Sequence, residues 1–376
     1  MYKPKFQINN AILANISQIE GARAIINAAP LVPAYERQFR QEAITKTVHY
    51  ATKLEGNDLS FEQVAKVIEG KSLPGFERDV QEVINYRQVI KYLEELLALH
   101  EQKLPLPGEN IDPQEKMDQA KVDFRYSEEM LKRVYQLVVQ MVIAPEQAQD
   151  YRKAQVVLEN TRTGEVVFRP PPSPEVPYLI KNFFEWINSS LTKDLHPVIR
   201  AGVSHYALVA IHPFIEGNGR TARAFSTLVL MVESYDIRGL FALEEYFDRN
   251  AGEYYRSLQS VSSQPLPLPD HDLTNWLDYF TKALAVELIK IKEKVERLSS
   301  DIRLKQKLGG KQLPLSERQV KLIEYMRQFG GLRITDAKEL FPMISQDTIW
   351  RDLKKLIKDK IVVKKGSTKG AYYTLV

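Results

Sequence analysis

The chain has 376 residues, 44% hydrophobic and 27% charged, with no cysteine and a formal net charge of +4. That length suits two or three domains with filled apolar cores, and the lack of cysteine excludes disulfide frameworks and thiolate metal sites. No apolar run approaches the roughly 18 residues of a membrane span and none follows Met1–Lys5, so neither a membrane partner nor a signal peptide is expected, and a cytoplasmic location is.

In chain order, residues 1–110 read as a helical region. Phe61, Val64, Val67 and Ile68 recur at helical spacing, as do Val80, Val83, Ile84 and Tyr86. Pro105, Pro107, Gly108 and Pro113 break that pattern. Residues 115–270 read as a second, mainly helical domain with one β-hairpin. Gln155–Leu158 and Glu165–Phe168 are β-rich, and Asn160–Gly164 is a turn-type connection. Pro170-Pro171-Pro172 ends it. Pro197 opens a helix with Ile199, Val203, Tyr206 and Ala210 on its apolar face. Residues 271–310 read as a long connecting helix. Leu284, Leu288, Ile291, Val295, Leu298 and Ile302 form a seam at steps of four and three, and Gly309-Gly310 stops it. The seam suits packing within the chain, a strut, or a coiled-coil homodimer.

Residues 311–376 predict helix, helix, helix, hairpin. Ser316 precedes Val320, Ile323 and Met326. Thr335 or Asp336 opens a short helix to Leu340 that stops near Pro342. Ser345 caps a third with Ile349, Leu353, Leu356 and Ile357 inward. Ile361–Val363 and Tyr372–Leu375 pair around Gly366–Gly370. This part carries 14 Lys/Arg against 7 Asp/Glu, so the basic excess sits here.

Chemistry concentrates at 212–223: His-Pro-Phe-Ile-Glu-Gly-Asn-Gly-Arg-Thr-Ala-Arg. Gly217 and Gly219 let the backbone turn tightly and approach a ligand. A helix starting near Gly219 offers free amides and a positive dipole end to an anion. Arg220 and Arg223, three apart, project from one face. Glu216 beside a polyphosphate suits a Mg²⁺ ligand. His212 suits a base that accepts a hydroxyl proton. Anion cradle, metal ligand, charge clamp and base are the parts of a phosphoryl-group transfer site.

The segment resembles the Fic-domain signature His-x-Phe-x-Asp/Glu-Gly-Asn-Gly-Arg-x-x-Arg at every fixed position. The preceding helix and the hairpin followed by Pro-Pro-Pro match the family layout, so the likeness covers most of residues 1–270. It implies a mainly α fold: a Fic-type helical bundle (115–270) with a small β-hairpin flap, joined here to a C-terminal winged-helix domain. It implies a protein adenylyltransferase that moves AMP from ATP to a Tyr, Thr or Ser hydroxyl of a protein, itself included. His212 would be the base. Glu216 would hold Mg²⁺. Gly217, Asn218, Gly219 and Thr221 would line the phosphate cradle, and Arg220 and Arg223 would bind the β- and γ-phosphates. The flap would pair with target backbone by strand addition. Asn250–Tyr255 is similar to the segment that lines the nucleotide base, through Asn250 and Tyr255, although Tyr254 and Tyr255 equally suit core packing.

Leu54-Glu55-Gly56-Asn57 resembles the end of the family's inhibitory helix, here about 42–56, whose pattern is Ser/Thr-x-x-x-Glu-Gly/Asn. Ala51 stands at the Ser/Thr position, with Thr52 beside it. Glu55 would pair with Arg223 in place of the γ-phosphate and misalign ATP. Related readings are AMP removal, another nucleotide donor, and a nucleotide-sensing DNA-binding regulator. For the last, Gln346, Arg351, Lys354, Lys355 and Lys358, with wing residues Lys364, Lys365 and Lys369, suit phosphate contacts with DNA or docking to a protein.

Overall fold

The computed structural model describes residues 2–29, 33–101, 124–159, 166–307, 315–341, 344–366 and 372–376. They divide into two units, 1–297 and 298–376, each with its own apolar core.

The first unit opens with α1 (Asn10–Ala28), where the Asn9 side chain accepts the Ile12 amide at 2.8 Å. That bond satisfies a first-turn N–H with no helical partner. α2 (Pro33–Lys53) follows. α3 (Phe61–Ile68) starts at a Ser60–Gln63 capping box, and α4 (Glu77–Glu101) is the last helix of this region. Val64, Val67, Val83 and Tyr86 are buried, whereas Ile84 is 37% exposed and lies off that face. The break at Pro105–Pro113 lies outside the described residues. α5 (Glu128–Val139) is capped by Ser127 and packs on α4.

The first strand of the hairpin starts later than expected. β1 (Leu158–Glu159) pairs antiparallel with β2 (Val166–Phe168), Leu158 opposite Phe168. Upstream, the Gln155 amide donates to the Pro170 carbonyl at 3.0 Å. A side chain makes that link, and the backbone ladder starts only at Leu158. The connection at 160–164, and Glu165, lie outside the described residues.

α6 (Val176–Ile187), α7 (Ser190–Lys193) and α8 (Pro197–Ile211) come next. α8 was expected to bury one face. Every residue from Val198 to Leu208 is buried, so it is the central helix, and α9 (Asn218–Val232) packs beside it. α10 (Leu243–Arg249), α11 (Ala251–Ser262) and α12 (Thr274–Lys307) complete the helices of this part. Gly202 explains how α12 comes so close to α8. A Cβ there would lie 2.8 Å from Leu277 and 3.0 Å from Phe280, and Trp276 donates to the Gly202 carbonyl at 2.7 Å. The α12 seam is taken up within the chain: Leu284, Leu288 and Val295 join the first core, and Lys294 pairs with Glu42 at 2.8 Å. The Ile302 side chain and Gly309-Gly310 lie outside the described residues. Among the described residues no helix is long and apolar enough to cross a membrane.

In the second unit, α13 (Glu317–Phe329) begins at a Ser316–Gln319 capping box. α14 (Ile334–Leu340) starts just before the expected residue, because Asp336 accepts the Arg333 amide at 2.8 Å and moves the cap back. Ser345 caps α15 (Gln346–Lys358), with Ile349, Leu353 and Leu356 buried. β3 (Val362–Lys365) and β4 (Tyr372–Leu375) pair antiparallel, and Leu332 bridges Tyr373 on the other side of β4. Pro342, Lys369 and Gly370 lie outside the described residues.

Candidate active site

His212 ends α8 in the left-handed conformation, φ 51° and ψ 60°. That backbone costs a non-glycine residue roughly 1–2 kcal/mol, so neighbours must hold it. The His212 amide donates to Leu208 at 3.1 Å, and its carbonyl accepts Nε of Arg152 at 2.8 Å. The turn sends Phe214 into the core, stacked on Tyr135 with ring centroids 3.7 Å apart. Asn218 then closes the loop. Its Oδ1 accepts the Phe214 amide and its Nδ2 donates to the Phe214 carbonyl, both at 2.8 Å. Asn218, expected to cradle phosphate, thus spends its side chain on loop shape. Gly217 is also left-handed, φ 72°, and a Cβ there would lie 2.9 Å from Val138. The loop therefore needs glycine twice over.

These constraints aim the first turn of α9 and its arginines at one spot. Arg220 and Arg223 are each 2% exposed. Nη2 of Arg223 donates to Glu55 Oε1 at 2.7 Å and to the Ala51 carbonyl at 3.0 Å. The position where the signature pattern has Ser/Thr thus contributes its main-chain oxygen. Thr52 does not take part, since its hydroxyl donates back to Val48 and His49. α2 itself stops at Lys53, short of the expected end near 56. Glu55 rides on the following turn, where Gly56 adopts φ 95° and donates to the Lys53 carbonyl at 2.9 Å.

Several buried donors here have no hydrogen-bond partner among the described residues: Nε and Nη1 of Arg220, Nε of Arg223 and Oγ1 of Thr221. Nη1 of Arg220 does lie 3.3 Å from the buried Glu82. Buried donors are rarely left unsatisfied, so a cluster at a helix N-terminus marks a place for an oxygen-rich anion.

The electrostatics are coupled. Burial pushes the Glu55 carboxyl up, but Arg223 and Arg220 more than offset this, and its pKa is lowered. Burial likewise opposes the Arg223 charge, and Glu55 beside it overrides this, so the arginine is held charged. Burial pulls His212 down to about 4 with help from Arg152, against the Val209 carbonyl and Glu55. Its imidazole is neutral near pH 7. Nδ1 lies 3.3 Å from the Val209 carbonyl, which leaves Nε2 as the free acceptor. The Phe168 ring of β2 meets the imidazole edge-on, with ring centroids 6.4 Å apart.

Glu216 sits at the rim, 2.6 Å from Arg78 and 3.8 Å from Arg220. Among the described residues there is no group of three or more acids or histidines to hold a metal. A lone carboxylate beside a triphosphate fits Mg²⁺, which commonly takes one or two carboxylates and completes its shell with phosphate and water. The segment expected to line a nucleobase, Asn250–Tyr255, is only partly drawn in. Asn250 turns its amide back on the Tyr246 carbonyl at 3.0 Å. Tyr254 is a core residue bonded to His205 at 3.0 Å. Tyr255 is half-exposed and donates to the Leu54 carbonyl at 3.2 Å, against the Glu55 turn.

Three residues of the site escaped the sequence reading: Arg78, Glu82 and Arg152. Glu82 had a visible signal, being one acid between Val80, Val83 and Tyr86 on a face read as buried. Arg78 and Arg152 had none, because their partners are distant in sequence.

A Fic/DOC family model matches residues 125–230. The protein adenylyltransferase Fic of Drosophila willistoni is 27% identical over 227 residues, which cover 58% of this chain and 38% of that protein. Its counterpart in Drosophila virilis is 28% identical over 206 residues, covering 53% and 35%. The chain thus spans well under half the length of these relatives. Among solved structures, a Fic family protein from Desulfovibrio desulfuricans G20 superposes with a TM-score of 0.61 at 21% identity, covering 100% of this chain and 98% of that one. Residues 134–508 of Fic-1 from C. elegans give 0.54 at 21% identity, covering 78% and 74%. The first unit has the Fic-type helical fold with its small hairpin, and the chain carries a Fic/DOC domain over residues 125–230.

Proposed function

We propose that this chain is a protein adenylyltransferase that moves AMP from ATP to a Tyr, Thr or Ser hydroxyl, restrained by Glu55. The observation that carries this reading is the cluster of unsatisfied buried donors on Arg220, Thr221 and Arg223 beside a neutral His212. Relatives named protein adenylyltransferases support it. In the reaction, the hydroxyl oxygen bonds to the α-phosphorus and its proton passes to Nε2 of His212. The bond from the α-phosphorus to the bridging oxygen breaks, and pyrophosphate leaves. Arg220, Arg223 and the first amides of α9 hold the phosphates. Glu216 would hold Mg²⁺, which neutralises phosphate charge when bound. Glu55 occupies Arg223 at 2.7 Å, so a triphosphate must displace it to bind in line.

Incubation of the Glu55→Gly chain with Mg²⁺ and α-labelled ATP, followed by mass spectrometry, tests this. An adduct of AMP mass on protein is expected. A labelled chain is also the substrate with which AMP removal is assayed, and UTP in place of ATP tests the donor. Absence of any adduct with every donor would leave nucleotide sensing as the better reading.

A second reading concerns residues 315–376, whose three helices and hairpin support a winged-helix assignment. Arg351, Lys354, Lys355 and Lys358 of α15 are exposed. The Lys354 and Lys364 ammonium groups sit over the Trp350 ring at 4.8 and 5.9 Å. This gathers cations from helix and wing on one aromatic platform, a surface that suits duplex DNA. Gel shifts across salt concentrations test it, since phosphate contacts weaken steeply with salt. Binding insensitive to salt, or none, argues for protein docking instead.

A further inference from the structure

Arg152 is 4% exposed, and no ion pair is recorded for it among the described residues. Its guanidinium instead meets three backbone carbonyls. Nε donates to His212 at 2.8 Å, Nη1 to Ala154 at 3.3 Å and Nη2 to Pro171. Its own amide donates to the Pro213 carbonyl at 2.9 Å. The three acceptors come from three places: the left-handed residue that ends α8, the irregular segment leading into β1, and the segment leaving β2. Ala154 and Pro171 are the two roots of the hairpin. One planar side chain therefore ties both roots of the hairpin to the backbone of His212.

We infer that Arg152 is a positioning residue: it sets the hairpin against the His212 imidazole, and so fixes where a strand paired to the hairpin presents its hydroxyl. Three arguments carry this. Hydrogen bonds from a charged donor are roughly twice as strong as neutral ones. A guanidinium presents several N–H groups in a fixed plane, so it holds several acceptors at set distances, which a lysine ammonium does not. Among the described residues the strands it anchors cover only Leu158–Glu159 and Val166–Phe168, and an isolated two-stranded hairpin is marginal in water. The catalytic part of the inference rests on the AMP-transfer reading. The clamp itself does not.

The decisive variant is Arg152→Lys, which keeps the charge and loses the three-way span. Arg152→Met removes both. Each is made in the Glu55→Gly chain. Three quantities are measured: ATP affinity by calorimetry, the saturating rate and ATP KM of self-labelling, and amide exchange in 154–159 and 166–169 against the α12 core at 276–285. The expected result for Arg152→Lys is an ATP affinity and KM within about twofold of the parent. The saturating rate falls about ten- to a hundredfold, the scale of a misplacement near 1 Å. Hairpin amides exchange at least about tenfold faster, and α12 is unchanged. Arg152→Met gives the same pattern, at least as large.

Hairpin exchange unchanged in both variants overturns the inference. So does faster exchange throughout the domain with ATP affinity and rate falling together, which marks a merely structural arginine. If the parent transfers no label, the AMP-transfer reading has failed. Exchange confined to the hairpin would then still support the clamp, and unaltered exchange would still refute it.

Discussion

Glu55 Oε1 lies 2.7 Å from Nη2 of Arg223, across 168 residues of sequence. Arg223 is buried, and on the proposed reading Glu55 stands where a phosphate would otherwise pair with it. Removing one member of such a pair leaves the other charged and without its partner, which is costly inside a protein. The Glu55 side chain is 27% exposed, so solvent recovers part of that cost.

Glu55→Gly is therefore expected to do two things. Self-labelling rises at least about tenfold, because ATP no longer competes with a tethered carboxylate. The ligand-free chain loses on the order of 1–3 kcal/mol, and saturating ATP restores more melting temperature in the variant than in the parent. Thermal melts with and without Mg-ATP read both effects. An unchanged labelling rate would remove the brake and leave the ion pair as a packing feature.

His212→Ala in the Glu55→Gly background separates binding from chemistry. A positioned base contributes about 10²- to 10⁴-fold, so labelling falls by that factor. ATP affinity is expected to stay within a few fold, since the proposed reading gives the phosphates to α9. Loss of affinity and rate in proportion would mean that His212 only shapes the loop.

Much of this site was legible from residues alone. The 212–223 string carries its own turn chemistry: Gly217 needs positive φ, and two arginines three apart must share a face. Sequence says less about which backbone groups, near or far, take up a polar side chain. Asn218 looks like a ligand residue, yet Phe214 takes both of its hydrogen-bonding ends. Asn250 is likewise turned on Tyr246. Arg152 reaches 60 residues to His212, and nothing local announces such a bond. The hairpin was placed correctly but its first strand was begun too early, since a run of β-formers does not reveal that the Gln155 side chain, rather than a backbone ladder, links to Pro170.

Gly217 offers a test of the loop that needs no activity. At φ 72°, alanine is strained, and its methyl would sit 2.9 Å from a β-branched Val138 with little room to turn. Gly217→Ala is expected to cost about 1–3 kcal/mol in urea unfolding. Gly56→Ala is a control: it has φ 95° but open space around it, so it pays only the backbone strain. Equal losses at the two sites would show that the Val138 contact does not matter.

The Arg78–Glu216 pair, at 2.6 Å, predicts a competition with Mg²⁺. The Arg78 side chain is 64% exposed, and exposed ion pairs hold weakly. Arg78→Ala frees the carboxylate, so half-maximal labelling should need several-fold less Mg²⁺. Glu216→Ala should need more and reach a lower plateau. Calorimetry of ATP at stepped Mg²⁺ gives the same ordering without turnover. Identical magnesium dependence in all three chains would take Glu216 out of the metal site.

The buried imidazole also leaves a signature in acid. His212 is pulled down to about 4 in the fold and titrates near 6.5 when unfolded. Between those values the unfolded chain binds the extra proton first, so acid favours unfolding. The His212 contribution is fully present above about 6.5 and drains away as pH falls towards about 4. Glutamine at this position cannot titrate. Between pH 7 and pH 5 the parent should lose about 2 kcal/mol more than His212→Gln, read from urea unfolding of both chains. Glu55 hardly enters this comparison, because carboxylates change charge near or below about 4.3 and its own pKa is lowered. Equal losses in the two chains would mean that the imidazole is more hydrated than its packing implies, and the neutral base would then need a different cause.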